Sequence, residues 1–414
     1  MKILVVPIEM PLPANSGGRI DVARRLRALR DGGHSTALLT WHNVARDGVL
    51  PETALAQLGN LCSTHHVALI NRSLTESLGR LAHLWRLPSY AAARWVTLDR
   101  PAVLAWARAF APDVLMLDGL YGVAAVRWLA GQLSVPWVYR SHNIEHVYMR
   151  YQHDRATGLG ARLRLTANLL GLQRAEAATV RDTTAVYDIS VADAEFWRAR
   201  GAPHVHWLPT VVDADFAAAM QAAAAMPPAW DIAYFGNLNT PNNVQAVEWL
   251  LTKVLPLLLD PHLRVAIAGS RPSETVRRLA AADARVTLLS DPPSIPAIAG
   301  AARVLVNPVQ AGSGVNLKSV EMLFSSAALI STPAGVQGLP ADAVVCFTVQ
   351  AEAQGFSQAI VQALSSAPLG AAAGASRPAS DAAGRVAARM PYAPAGAVQV
   401  LEDSLRPLLA RGRA

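Results

Sequence analysis

The sequence reads as an α/β protein made of two open parallel sheets, each covered by helices on both faces. Three observations predict this class. The chain has 414 residues, well beyond the length that one ordinary core organises. Hydrophobic residues make up 52% of it, which suits a packed globular chain rather than a disordered one. Short runs rich in Val, Ile and Leu alternate with helical patterns, and they are bounded by Gly, Pro, Asn or Asp. A parallel sheet buried on both faces requires runs of this kind.

In the first half these runs predict strands at Lys2–Ile8, Ser35–Trp41, His66–Asn71, Val114–Asp118, Trp137–Arg140, Ala185–Ile189 and His204–Leu208. In the second half they predict strands at Asp231–Phe235, Leu263–Ala268, Arg285–Leu289, Arg303–Asn307, Ala328–Ser331 and Val344–Thr348. Between the halves, the alanine-rich stretch Asp213–Trp230 can form a helix that Pro227-Pro228 stops, and it marks the interdomain connection. The expected domains are residues 1–215 and 216–390, followed by a C-terminal helix at 391–414 that packs back toward the first domain. In that tail Val398, Leu401, Leu405 and Leu408 recur at helical spacing. The low-complexity stretch Ser365–Gly384 reads as a flexible surface excursion.

Composition narrows the function classes. Net charge is +7, with 23 basic and 18 acidic residues up to Phe216. Such an excess suits anionic lipid or anionic small substrates. No basic run with interleaved aromatics and no zinc or helix-turn-helix spacing occurs, so nucleic acid is not an expected partner. Two cysteines, Cys62 and Cys346, are too few and too far apart for a disulfide framework or a cysteine metal site. The N-terminal apolar run is interrupted by Pro7 and Glu9, which is too brief for a signal peptide. No stretch approaches the roughly 20 apolar residues of a spanning helix. The expected location is the cytoplasm, with Arg150–Arg174 suited to resting on the anionic inner face of the membrane. The sequence carries no signal of oligomeric state.

In an open α/β sheet, ligands bind beyond the carboxyl ends of the strands, so the strand-to-helix turns hold the candidate site residues. In "PANSGGR", Gly17 and Gly18 can bring backbone N–H groups close to an anion, or simply form a turn. The following helix places Val22, Leu26 and Leu29 on one face and Arg24 and Arg25 away from it. Asn15 and Arg19 flank the same turn as acceptor-side candidates. No G-x-G-x-x-G fingerprint occurs there or after Gly269, which disfavours a nicotinamide dinucleotide. In "RSHNIEH", His142, Asn143, Glu145 and His146 suit a hydroxyl-rich ligand, or a solvated turn. His142 and His146 lack a third metal ligand. Asp118 ends a strand, either as a cleft carboxylate or as a turn cap.

In the second half, Gly236 and Asn237 end a strand, and Asn242 or Asn243 can cap the helix that follows. In "GSGVNLKSVEML", Gly312 and Gly314 permit close backbone approach to a helix beginning near Asn316. Lys318 offers a point charge for phosphate and Glu321, on the same helix face, a carboxylate for vicinal hydroxyls such as a ribose. A solvated Lys–Glu helix pair is the plainer reading of the same residues.

Taken in order, these motifs resemble those of bacterial glycosyltransferases of family 4. The resemblance spans about Met1 to Leu339 and includes "PLPANSGGR", "RSHNIEH", "LPTVVDADF", "YFGNLNTPNNVQAVEWL", "GSGVNLKSVEML" and "STPAGVQGL". It implies the GT-B fold, two Rossmann-like α/β/α domains facing a cleft, and a nucleotide-sugar donor held mainly by the second. It further implies that Lys318 meets the diphosphate, Glu321 the ribose, Val315 and Asn316 the donor sugar, and His142 the transferred sugar. Gly17 and Gly18 would approach the phosphates. The family transfers sugar with retention and usually needs no metal or cofactor; the acceptor would be a glycan or lipid-linked molecule of the cell surface. Many members carry two glutamates eight residues apart, and here Ser313 replaces the first. No basic residue occurs in "YFGNLNTPNN", which leaves Arg271 as a substitute diphosphate contact. Were the reaction inverting, Asp118 or Glu145 would be the candidate base. A nucleotide-sugar epimerase or hydrolase, or a catalytically silent binding subunit, shares the same architecture.

Overall fold

A computed structural model of the protein describes residues 1–14, 16–71, 73–156, 158–312, 314–366 and 379–411. The chain forms two compact units, one of Met1–Val211 with Pro394–Ala414 and one of Val212–Ala393.

The first unit holds strands β1 (Lys2–Val6), β2 (Ser35–Asn43), β3 (Thr64–Ile70), β4 (Val114–Asp118), β5 (Trp137–Ser141), β6 (Ala185–Asp188) and β7 (Val205–Trp207). They form one parallel sheet in the order β3-β2-β1-β4-β5-β6-β7. Alternate residues feed opposite cores: Leu4, Val6, Leu115 and Leu117 lie on one face, and Ile3, Val5, Val114 and Met116 on the other. Burial on both faces explains why these strands read as continuous apolar runs. The second core is completed by the helix Pro394–Arg411, which supplies Val398, Leu401 and Leu405 and packs against the helix Gly17–Asp31. Its Ser404 Oγ lies 2.8 Å from the Tyr187 hydroxyl.

The second unit holds β8 (Trp230–Asn237), β9 (Val265–Ser270), β10 (Val286–Ser290), β11 (Ala302–Asn307), β12 (Ala328–Ser331) and β13 (Thr348–Val349). They are again parallel, in the order β10-β9-β8-β11-β12-β13. In both units the order of the strands reverses beside the first strand, between β1 and β4 and between β8 and β11. Such switch points open a crevice at the carboxyl ends.

Two expectations need correction. The run Val344–Thr348 is not a strand: Ala341–Val344 is helical and only Thr348–Val349 pairs with β12. Pro340 at the N-cap and Asp342 in the first turn favour a helix start there, over the β-preference of the valines. The stretch Asp213–Trp230, expected to hold the interdomain connection, lies within the second unit instead. Its helix Ala214–Ala224 packs on the helix Ile295–Gly300 with Met220 buried, and the chain passes between units at Val211–Val212. Of Ser365–Gly384, residues 367–378 lie outside the described residues; helices Ala353–Ser366 and Ala379–Arg389 flank them.

Candidate functional site

In the second unit the site is built around one lysine. Lys318 is the second residue of the short helix Leu317–Met322 and is buried. Its Nζ donates to the Tyr234 hydroxyl at 2.8 Å and to Asn243 Oδ1 at 3.3 Å. The ammonium also sits 4.0 Å from the centre of the Tyr234 ring. Tyr234 Oη in turn donates to Asn243 Oδ1 at 3.0 Å, and Asn243 Nδ2 donates to the Asn237 carbonyl at 3.0 Å. Burial pushes Lys318 down to about 7, against the opposing pull of Glu321. Glu321 is itself buried on the same helix.

Local sequence explains this arrangement. Gly236 lets the lysine cross the end of β8: a Cβ there would lie 3.3 Å from Lys318 Cε and 3.2 Å from Asn243 Nδ2. Gly314 turns the incoming loop with a left-handed φ of 65° and is buried. The helix is anchored from behind, because Asn307 at the end of β11 donates to Ser319 Oγ at 2.8 Å and Ser319 donates to the Gly335 carbonyl at 2.6 Å. Val315 and Asn316 are half-buried on the approach to the helix, and Gly312 is exposed with open space around it. Ser313 lies outside the described residues. The helix is only six residues long, so its macrodipole is slight and the lysine is the main cationic element. Arg271 is exposed at the end of β9, at φ 51°, with its backbone N–H on Asp291 Oδ1 at 3.1 Å.

Asn243 corrects the expected cap. Thr240 is the N-cap and Pro241 the first residue of the helix Pro241–Trp249, which leaves the Asn243 side chain to serve Tyr234 and Lys318.

In the first unit the switch point is closed by an ionic cluster. Asp118 ends β4 with no exposure to solvent. Its Oδ1 lies 2.5 Å from His142 Nε2 and its Oδ2 accepts from Arg25. Arg25 also donates to Asp21 at 2.8 Å, and Arg140 donates to Asp21 at 2.7 Å. Burial alone would raise Asp118, but Arg25, His142 and Arg140 hold it below the usual carboxylate range. Arg24 and Arg25, expected to point away from the core, are both buried. Two buried aspartates compensate Arg25, and Arg24 donates to the Val211 carbonyl at 3.5 Å.

The four polar groups of "HNIEH" do not converge. His142 turns to Asp118, while His146 turns to the buried Glu176, 2.5 Å from its Oε2. Glu176 also accepts the backbone N–H groups of Glu145 and His146 at 2.7 and 3.0 Å, so it caps the helix Glu145–Arg155. Burial and Glu176 push Glu145 up to about 8. The Asn143 carbonyl accepts from Ser141 Oγ at 2.8 Å. Arg19 pairs with Glu9 at 2.9 Å. Gly17 and Gly18 are exposed at the start of their helix, with nothing near a would-be Cβ; Asn15 lies outside the described residues.

Comparison with known proteins bears on this arrangement. Residues 229–366 match the family described as Glycosyl transferases group 1. The matched stretch lies within the second unit. The matched residues include Tyr234, Gly236, Asn243, Lys318 and Glu321, and so the whole of the lysine site. Over nearly its full length the chain has the fold of GT-B structures. It covers 98% of itself and 100% of HepE from Anabaena in complex with UDP, at 15% identity and a TM-score of 0.61. It covers 99% of itself and 100% of a sucrose-phosphate synthase from Thermosynechococcus elongatus, at 16% identity and a TM-score of 0.63. In sequence it is 22% identical over 354 residues to an uncharacterized 44.6 kDa protein in the cps region of Klebsiella pneumoniae, covering 81% of this chain and 84% of that one.

Proposed function

We propose that the protein transfers a sugar from a nucleotide-diphosphate sugar to a glycan or lipid-linked acceptor in the synthesis of a bacterial surface polysaccharide. The observation that carries this reading is the buried Lys318, held on Tyr234 and Asn243 beside Glu321, within the residues that match the group 1 family. A desolvated cation gains most from an incoming dianion. A neighbouring carboxylate disfavours phosphate at its own position but suits the paired hydroxyls of a ribose. Support also comes from the Anabaena relative, whose structures hold UDP and UDP-glucose, and from the Klebsiella relative, which lies in a cps region.

In this proposal the bond from the anomeric carbon to the departing phosphate oxygen breaks as Lys318 stabilises the charge that develops there. An acceptor oxygen forms the new bond on the same face, and its proton passes to the departing phosphate, so the configuration is retained without a metal. Arg271 gives a second contact to the diphosphate, and Val315 and Asn316 line the donor sugar. In the first unit His142 meets the transferred sugar. Asp118 is too enclosed to touch a substrate, and acts as a positioning residue that orients the His142 ring.

The test is a melting-temperature screen of UDP-, GDP- and dTDP-sugars followed by assays with and without candidate acceptors. One nucleotide class is expected to stabilise the wild type and to leave Lys318→Ala unmoved. Product formation that needs an acceptor supports transfer; turnover of the donor alone points to an epimerase or hydrolase. Equal stabilisation of wild type and Lys318→Ala removes the donor assignment.

A further inference from the structure

The helix Leu74–His83 is amphipathic in the inverse sense. It rests on the helix Ser89–Val96 through Gly79, where an added Cβ would lie 3.3 Å from Val96 Cγ1. Glu76, Arg80 and His83 fall on that inner side and are half-buried. Leu74, Leu78 and Leu81 recur at i, i+4 and i+7 on the opposite side, Trp85 follows in the turn after the helix, and all four are 58% to 85% exposed. The Arg86 guanidinium lies 3.9 Å over the Trp85 ring.

A second helix repeats the pattern. In Leu159–Leu169, Leu165 and Leu169 pack into the core, while Leu159 and Leu163 are exposed. Both helices rest against Ser89–Val96, so the two ridges belong to one region of the first unit. Arg162 and Arg164 are exposed beside the second ridge. The stretch Arg150–Arg174 carries five arginines against the single acid Asp154. Single exposed leucines need no explanation, but two ordered ridges mark a contact surface.

We propose that these ridges form a docking face for an anionic lipid bilayer. The leucines and Trp85 enter the boundary between headgroups and acyl chains, and the arginines meet lipid phosphates. Charge favours lipid over a second copy of this chain, whose matching face would carry the same positive excess. Among the described residues no helix is long and apolar enough to cross a membrane, so the contact is interfacial. The inference does not depend on the donor assignment.

Flotation of the full chain with vesicles of phosphatidylcholine, with and without phosphatidylglycerol, tests it. The wild type is expected to float only with the anionic vesicles. Leu78→Ser with Trp85→Ser should weaken that binding by about tenfold or more. Arg162→Gln with Arg164→Gln should weaken it roughly fivefold per arginine and flatten its salt dependence. Nucleotide-induced stabilisation should be unchanged in both variants, which separates this face from the donor site. The proposal falls if the wild type ignores anionic vesicles or if Leu78→Ser with Trp85→Ser binds them as the wild type does. It also falls if that variant converts a dimer to a monomer while no vesicle binding is seen, because the ridge would then belong to a second copy.

Discussion

The two units share a strand order and place polar side chains at the same topological point, yet they fill it in opposite ways. In the first, Asp21, Arg25, Asp118 and Arg140 compensate one another and His142 completes the set. In the second, the immediate partners of Lys318 are a phenol and an amide, both neutral. Burial penalises a charge unless opposite charge meets it closely. Asp118 therefore stays ionised, while Lys318 falls to about 7. A compensated cluster fixes geometry, whereas a cation short of countercharge is ready for an anion. Under the proposed function, the contrast gives positioning to the first unit and donor binding to the second.

The largest break in that contrast comes at Asp118. Asp118→Ala leaves Arg25 and Arg140 buried with Asp21 alone, and should destabilise the first unit by about 3–5 kcal/mol. Urea unfolding followed by tryptophan fluorescence would read this, with nucleotide binding by the second unit retained. Next comes Lys318→Ala, expected to lower turnover roughly 100- to 1000-fold with circular dichroism unchanged; near-normal transfer would contradict the assignment.

The same lysine gives a pH signature. Free Lys318 is largely neutral above its value of about 7, and a bound diphosphate restores the proton. Nucleotide affinity should therefore fall as pH rises above that value, by about tenfold per unit where one proton is taken up. Calorimetry in buffers of different ionisation heat should show that uptake, and Lys318→Met should abolish it. The smallest effect is expected from Asn243→Ala, about 0.5–1.5 kcal/mol in nucleotide affinity. Loss of stability without loss of affinity would return Asn243 to a helix-capping role.

What the sequence disclosed follows from how local each signal is. Strands such as Val114–Asp118 were legible because burial on both faces writes an unbroken apolar run. The place of Lys318 and Glu321 on one helix was legible because three-residue spacing needs no tertiary knowledge. Asn243 was misread because an asparagine after Thr240-Pro241 is an ordinary helix-start pattern, whereas its partner Lys318 lies far along the chain. The ionic cluster was missed because arginine and aspartate are usually solvated. Its trace was present nonetheless: Asp21 and Arg25 are four apart on one helix, and Arg140 interrupts the apolar run of β5.

The return of the helix Pro394–Arg411 to the first unit bears on how the chain is made. Val398, Leu401 and Leu405 share a core with Ile3 and Val5, so β1 waits for a helix made after the whole second unit. While the second unit emerges from the ribosome, one face of the seven-stranded sheet stands partly uncovered. The nascent first unit thus carries a window of exposure to chaperones and to misassociation that the second, continuous in sequence, does not share.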